Sequence, residues 1–312
     1  MTPAYTVTVS EEKAIINATL NSDMLNTLLL GMYTPLYFGT MYICITGKAS
    51  RNRVVLAAIT ILYASNVIGG SVLWIDIHRQ IGMNGESPLG VLLTEIRGSN
   101  FTPSSVLLEV SSGLPLVVAD GLLIWRCFRI WDSSLRIIAL SLILFLAEIA
   151  LFLATLVFSF TSSTDSTKSG ITNGTGLFLA LAVTLWTTTL IAYRIYSASS
   201  HVLNRKRSRF YNILEIITES SFIYSLSLVV IAVLTAIPMT PSNIWTLLKV
   251  SVYVGNIFNA ITGIAPTITV ARVALASNST SDTEPTSDVS GVQSGQQSPD
   301  VQRYEAVAQH AE

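Results

Sequence analysis

Ile137-Ile-Ala-Leu-Ser-Leu-Ile-Leu-Phe-Leu-Ala-Glu148-Ile-Ala-Leu-Phe-Leu-Ala-Thr-Leu-Val-Phe-Ser-Phe160 holds a single charge, Glu148, at the middle of an otherwise apolar run. A helix crossing a hydrocarbon layer of about 30 Å needs about 20 largely uncharged residues, and this run supplies them on every face. The same ruler finds six more spans, at 24–46, 54–75, 105–127, 176–195, 211–237 and 243–271. The predicted fold is all-α: a polytopic membrane protein built as a seven-transmembrane-helix bundle over 24–275. Composition agrees, since 50% of the 312 residues are hydrophobic and 12% charged, with a mean hydropathy of +0.56. A soluble fold of this length could not cover so much apolar surface.

Orientation follows from the basic residues, which short loops retain on the cytoplasmic side. Placing the N-terminus outside puts Lys48, Arg51, Arg53, Arg126, Arg129, Arg136, Arg194, Arg205, Lys206, Arg207, Arg209, Arg272 and Arg303 inside. Only Lys13, Arg79, Arg97 and Lys168 fall outside, and Lys249 lies within the seventh span. Three glycosylation acceptors, Asn17, Asn100 and Asn173, fall in the segments so placed outside, while a fourth, Asn278, falls inside. Residues 1–23 form an extracellular N-terminal segment; with Glu11, Glu12 and Asp23 and no basic start, they do not read as a cleaved signal peptide. Residues 276–312, rich in Ser, Thr, Asp, Gln and Pro, predict a disordered cytoplasmic tail. Cys44 and Cys127 both sit at cytoplasmic span ends, where thiols stay reduced.

Several function classes are excluded. A net charge of −1 offers no field for nucleic acid. The three histidines, His78, His201 and His310, lie in separate segments and cannot share a metal. No Gly-x-Ser-x-Gly, His-Glu-x-x-His or phosphate-loop pattern occurs, so neither an enzyme nor a metal or cofactor is expected. Lys249 in the seventh span and two acids in the third are similar to microbial rhodopsins, but the sixth span lacks their Trp and Tyr-Pro pattern and no retinal is expected. The receptors that carry Asp-Arg-Tyr after the third helix and Asn-Pro-x-x-Tyr in the seventh share the architecture and not the motifs.

The functional candidates are the ionisable groups inside the spans, which are costly in lipid and must face the bundle interior. Glu109 and Asp120 share one face of the third span with Ser112. Lys249, Tyr253 and Asn256 share a face of the seventh. Their depths suit a Glu109–Lys249 ion pair across an outer cavity, so Glu109, Ser112, Lys249, Tyr253 and Asn256 are the ligand-cavity candidates. Asp120 and Glu148 are further intramembrane polar groups, Glu148 having no evident basic partner. At the inner end Arg126 and Arg129 match Glu215 and Glu219 in depth, which makes an ionic latch available. Pro35, Pro115 and Pro266 interrupt the first, third and seventh spans.

Three segments, Asp120-Gly-Leu-Leu-Ile-Trp-Arg126-Cys127-Phe-Arg-Ile-Trp131, Glu219-Ser-Ser-Phe-Ile-Tyr224-Ser and Gly263-Ile-Ala-Pro266-Thr-Ile-Thr-Val-Ala-Arg272, resemble signatures of a large family of uncharacterised seven-helix proteins from mushroom-forming fungi. The resemblance covers about residues 24–276 and implies a fold and a membrane location without a ligand or activity. The expected function is that of a receptor-like sensor in the plasma membrane, taking an unknown small ligand between the third and seventh helices. The alternatives are a transporter or proton-coupled carrier using Glu109, Asp120 and Glu148, or a non-catalytic structural membrane protein. The partners are the lipid bilayer, that ligand, and a cytoplasmic protein at the basic loop 205–209. Single Asn→Gln variants test the orientation: glycosidase-sensitive mass should be lost at Asn17, Asn100 or Asn173 and never at Asn278, and a glycan on Asn278 would reverse the topology.

Overall fold

The computed structural model describes residues 9–46, 53–84, 103–131, 134–160, 166–199, 222–238, 240 and 242–281. They form seven helices: α1 (Val9–Thr46), α2 (Arg53–Asn84), α3 (Pro103–Ile130), α4 (Leu135–Phe160), α5 (Ser166–Ser199), α6 (Phe222–Ala236) and α7 (Ile244–Ser281). No strand occurs among the described residues. All but α6 contain a stretch long and apolar enough to cross a membrane. The chain is an all-helical, multi-pass membrane protein. One compact unit runs to Asn278, and residues 279–312 make a second, described only as far as Ser281.

Helix α4 shows how the sequence selects its surroundings. Ser141, Glu148 and Thr155, spaced at seven residues, are buried, whereas Ile143, Leu146, Leu153 and Val157 are exposed. In water that partition would be inverted; against lipid tails it is the favourable one, because only the polar side chains need protein partners. The hydroxyls find the nearest partner available, a carbonyl of their own helix. Thr155 donates to Leu151 at 3.0 Å, Thr40 to Leu36 at 2.7 Å and Thr262 to Phe258 at 2.8 Å. Such bonds satisfy the hydroxyl without a second helix.

Packing centres on α3, which lies against α2, α4 and α5, while α4 also packs on α5 and α1 on α2. One apolar cluster, with Ala119, Leu123 and Cys127 of α3, Val183 of α5, Leu228 of α6 and Phe258 of α7, fills the centre. A second joins α1, α2 and α7 around Tyr33, Tyr37, Ile59 and Val270. There Tyr37 stacks on Tyr63 at a 4.2 Å centroid separation, and the Tyr33 and Thr267 hydroxyls bond at 3.0 Å. α6 ends two residues before Pro238, as a residue preceding proline is driven out of the helical region. The turn into α7 is held by Asn243, which accepts from the Thr240 amide at 2.7 Å and donates to the Pro238 carbonyl at 3.2 Å.

Two helices outrun the apolar ruler. α1 starts at Val9 rather than near Met24, so much of the expected N-terminal segment is helical. The reason is visible in retrospect: Ile15, Ala18 and Ser22 recur at helical spacing and are buried, and Glu11 and Glu12 suit the start of a helix. α7 continues to Ser281, past residue 276 where the tail was placed, because no Gly or Pro follows Pro266 to stop it before Pro285.

Gly263 of α7 marks the tightest contact of the α1, α2 and α7 seam. A Cβ there would lie 2.8 Å from Asn66 Nδ2 and 2.9 Å from Tyr33 Cε1, and both side chains are tethered, Asn66 to the Leu62 carbonyl and Tyr33 to Thr267. Gly263→Ala should therefore destabilise by about 1–3 kcal/mol. Gly39→Ala, where a Cβ meets nothing within 4 Å, should be neutral or slightly stabilising. Thermal unfolding of the detergent-solubilised variants separates the two.

Candidate functional site

Two cavities of about 290 Å³ each open within the bundle. One lies among α1, α2, α3 and α7 and is lined by Asp23, Asn66, Glu109, Ser111, Ser112 and Asn256, among others. The other lies among α3, α4, α5, α6 and α7 and reaches Glu148, Thr155, Asn173 and Thr235. Glu109, Ser112, Gly255 and Asn259 line both, so the two cavities abut along one α3–α7 seam. Neither lining contains a lysine, arginine or histidine.

Of the five cavity candidates read from the sequence, Glu109, Ser112 and Asn256 line these cavities and Lys249 and Tyr253 do not. The expected Glu109–Lys249 ion pair is corrected: no such pair joins them. The α7 lining begins at Ser251 and runs through Val252, Gly255, Asn256 and Asn259. Lys249, seven residues before Asn256, shares its face but precedes the lining along the helix axis, whereas Tyr253 stands roughly 160° around the helix from Gly255.

The partner of Asn256 is instead Asp23, to whose Oδ1 the Asn256 amide donates at 3.3 Å. Asp23 is 4% exposed. It was assigned to the N-terminal segment because it precedes the apolar run, although its position one residue after buried Ser22 in the Ile15–Ala18–Ser22 line was a usable signal.

Asp120 and Glu148 are drawn together. Asp120 is fully buried and its Oδ1 accepts from Thr184 of α5 at 2.7 Å. Glu148 of α4 and Tyr224 of α6, each 2% exposed, are the neighbours of Asp120. Beside them, Thr187 donates to Ser141 at 3.4 Å. The neighbour the sequence lacked for Glu148 is thus another acid.

At the other end of this cluster Arg126 donates to the Pro266 carbonyl of α7 at 3.3 Å, and Arg129 is exposed. Glu215, Glu219 and loop 205–209 lie outside the described residues, as do Asn100 and nearly all of the tail, while Asn17 and Asn173 are exposed positions on α1 and α5. A cavity of about 10 Å³, room for about one water, is lined by Leu122, Leu123 and Arg126 of α3, Tyr224 of α6 and Ala265, Pro266 and Thr269 of α7. The three segments that carried the family resemblance therefore meet in space.

No family model matches the chain, and neither a curated protein nor a solved structure matches it. The Asp23–Asn256 contact is tested by a double-mutant cycle on thermal unfolding. Asp23→Leu and Asn256→Leu should each destabilise, and the double variant should cost less than their sum by about 0.6 kcal/mol, the average for a polar pair between membrane helices. Strict additivity would break the contact.

Proposed function

We propose that the protein is a receptor-like sensor of the plasma membrane, N-terminus outside, that takes a small positively charged ligand into the α3–α7 cavities. The observation that carries this is the convergence of Glu109 and Ser112 of α3 with Asn256 and Asn259 of α7 on space of about 290 Å³, close to the lower bound for small-molecule sites. Asp23 and Glu109 contribute acidic groups and no basic side chain answers them in the lining, so an amine or quaternary ammonium is the complementary ligand. The resemblance to seven-helix proteins of mushroom-forming fungi supports the location and leaves the ligand to be found.

A second reading rests on its own observation. Because the cavities share Glu109 and the second reaches Glu148, acids follow one another from Asp23 through Glu109 to Glu148 and Asp120, an arrangement that also suits a proton-coupled carrier. A panel of organic amines screened by thermal shift, followed by flux assays in proteoliposomes, decides between them. The sensor reading expects a stabilising amine whose effect falls at least tenfold in potency with Glu109→Gln and which is not transported. Uptake driven by a pH gradient and abolished by Glu148→Gln would replace the sensor with the carrier.

A further inference from the structure

The buried carboxylates of Asp120 and Glu148, the latter at the wall of the cavity among α3 to α7, are left in an unusual state. Thr184 satisfies one oxygen of Asp120, but Asp120 Oδ2, both carboxylate oxygens of Glu148 and the Tyr224 hydroxyl are buried with no hydrogen-bond partner. Buried polar atoms in folded proteins are almost always partnered, and here four unpartnered oxygens fall on three neighbouring side chains from three helices. Many hydroxyls elsewhere in the bundle bond a carbonyl of their own helix, although Thr188 Oγ1 is buried without a partner too; a carboxylate has no donor with which to do so.

Charge sharpens the requirement. Asp120 and Glu148 are neighbouring acids in a low-dielectric interior, where the two cannot both stay ionised unless a proton or another cation compensates them. The nearest guanidinium, that of Arg126, lies six residues along α3 from Asp120, about 9 Å, and is committed to the Pro266 carbonyl. A proton held between the two carboxyls is one compensation; a cation seated among the oxygens is another, and it would also partner Asp120 Oδ2 and the Tyr224 hydroxyl.

We propose that Asp120, Glu148, Thr184 and Tyr224 form a binding site for a small monovalent metal cation, with sodium the best fit. The ligand set is oxygen only, which selects a hard cation. Four unpartnered oxygens and the Thr184 hydroxyl fall short of the six to eight that calcium takes and of the octahedral shell of magnesium. No group of three or more carboxylates, histidines or cysteines gathers among the described residues to raise the charge further. Glu148 also lines the cavity among α3, α4, α5, α6 and α7, which gives the ion a route in from the Glu109 seam. The site stands whether the cavities sense or carry their ligand.

The test uses the full-length protein in detergent at fixed pH and ionic strength, with sodium chloride exchanged stepwise for choline chloride. Sodium should raise the unfolding temperature saturably, by roughly 3–6 °C at concentrations well above its dissociation constant. Asp120→Asn should abolish the response. Should that variant fail to fold, Thr184→Ala and Tyr224→Phe, which keep both acids, should shift the half-saturating sodium concentration upward several-fold. Glu109→Gln should leave the response intact, which separates this site from the amine cavity. Equal unfolding temperatures in sodium and choline for the unaltered protein would overturn the proposal, as would loss of the sodium response in Glu109→Gln.

Discussion

Lipid cannot hydrogen-bond, and every other feature of this bundle follows from that constraint. Helix α4 turns Ser141, Glu148 and Thr155 inward and Ile143, Leu146 and Leu153 outward, so its orientation is set by where its polar groups can be received. A serine or threonine is content with its own backbone and places no demand on a neighbour. Carboxylates and asparagines do place one. Asp120 draws Thr184 of α5, and Asp23 draws Asn256 of α7. A handful of polar side chains thus fixes which helices touch and in which register, while the surrounding leucines and isoleucines supply bulk and close packing.

Six of the spans were legible because each is a continuous apolar run, the strongest pattern a sequence carries. Their ends were not, since a helix that leaves the hydrocarbon becomes polar and looks like a loop; α1 back to Val9 and α7 out to Ser281 are of this kind. Within the site, Glu109, Ser112 and Asn256 were found by asking which polar residues share a helical face. The same reasoning reached Lys249 and Tyr253, which line neither cavity, because a face shared within one helix says neither how far along that helix a cavity extends nor how the helix is rotated toward its neighbours. Asp120 and Glu148 illustrate the deeper limit: each was recognised, yet their proximity joins two helices through tertiary packing and has no trace in sequence spacing.

The approach of Arg126 to α7 shows why the three motif segments belong together. Proline at position 266 removes one amide from the α7 ladder and leaves the Thr262 carbonyl without its usual donor. Next to that weakened turn, Arg126 donates to the Pro266 carbonyl, and Tyr224 closes the same water-sized space from α6. One arginine braces the proline-bearing helix while the tyrosine beside it belongs to the buried acid cluster. The motifs are therefore three sides of a single junction rather than separate signatures.

The length of α1 has a mechanical meaning. Its 38 residues make a rod of about 57 Å, nearly twice the hydrocarbon thickness. Pro35 lies in its later part, so the stretch from Val9 to Asp23 and on to Tyr33 is one unbroken lever. Asp23–Asn256 and Tyr33–Thr267 tie this lever to the last helix among the described residues, so a tilt of its tip would load both. Because Asp23 also lines a cavity, a load on the N-terminal end of α1 would reach that cavity's wall as torque.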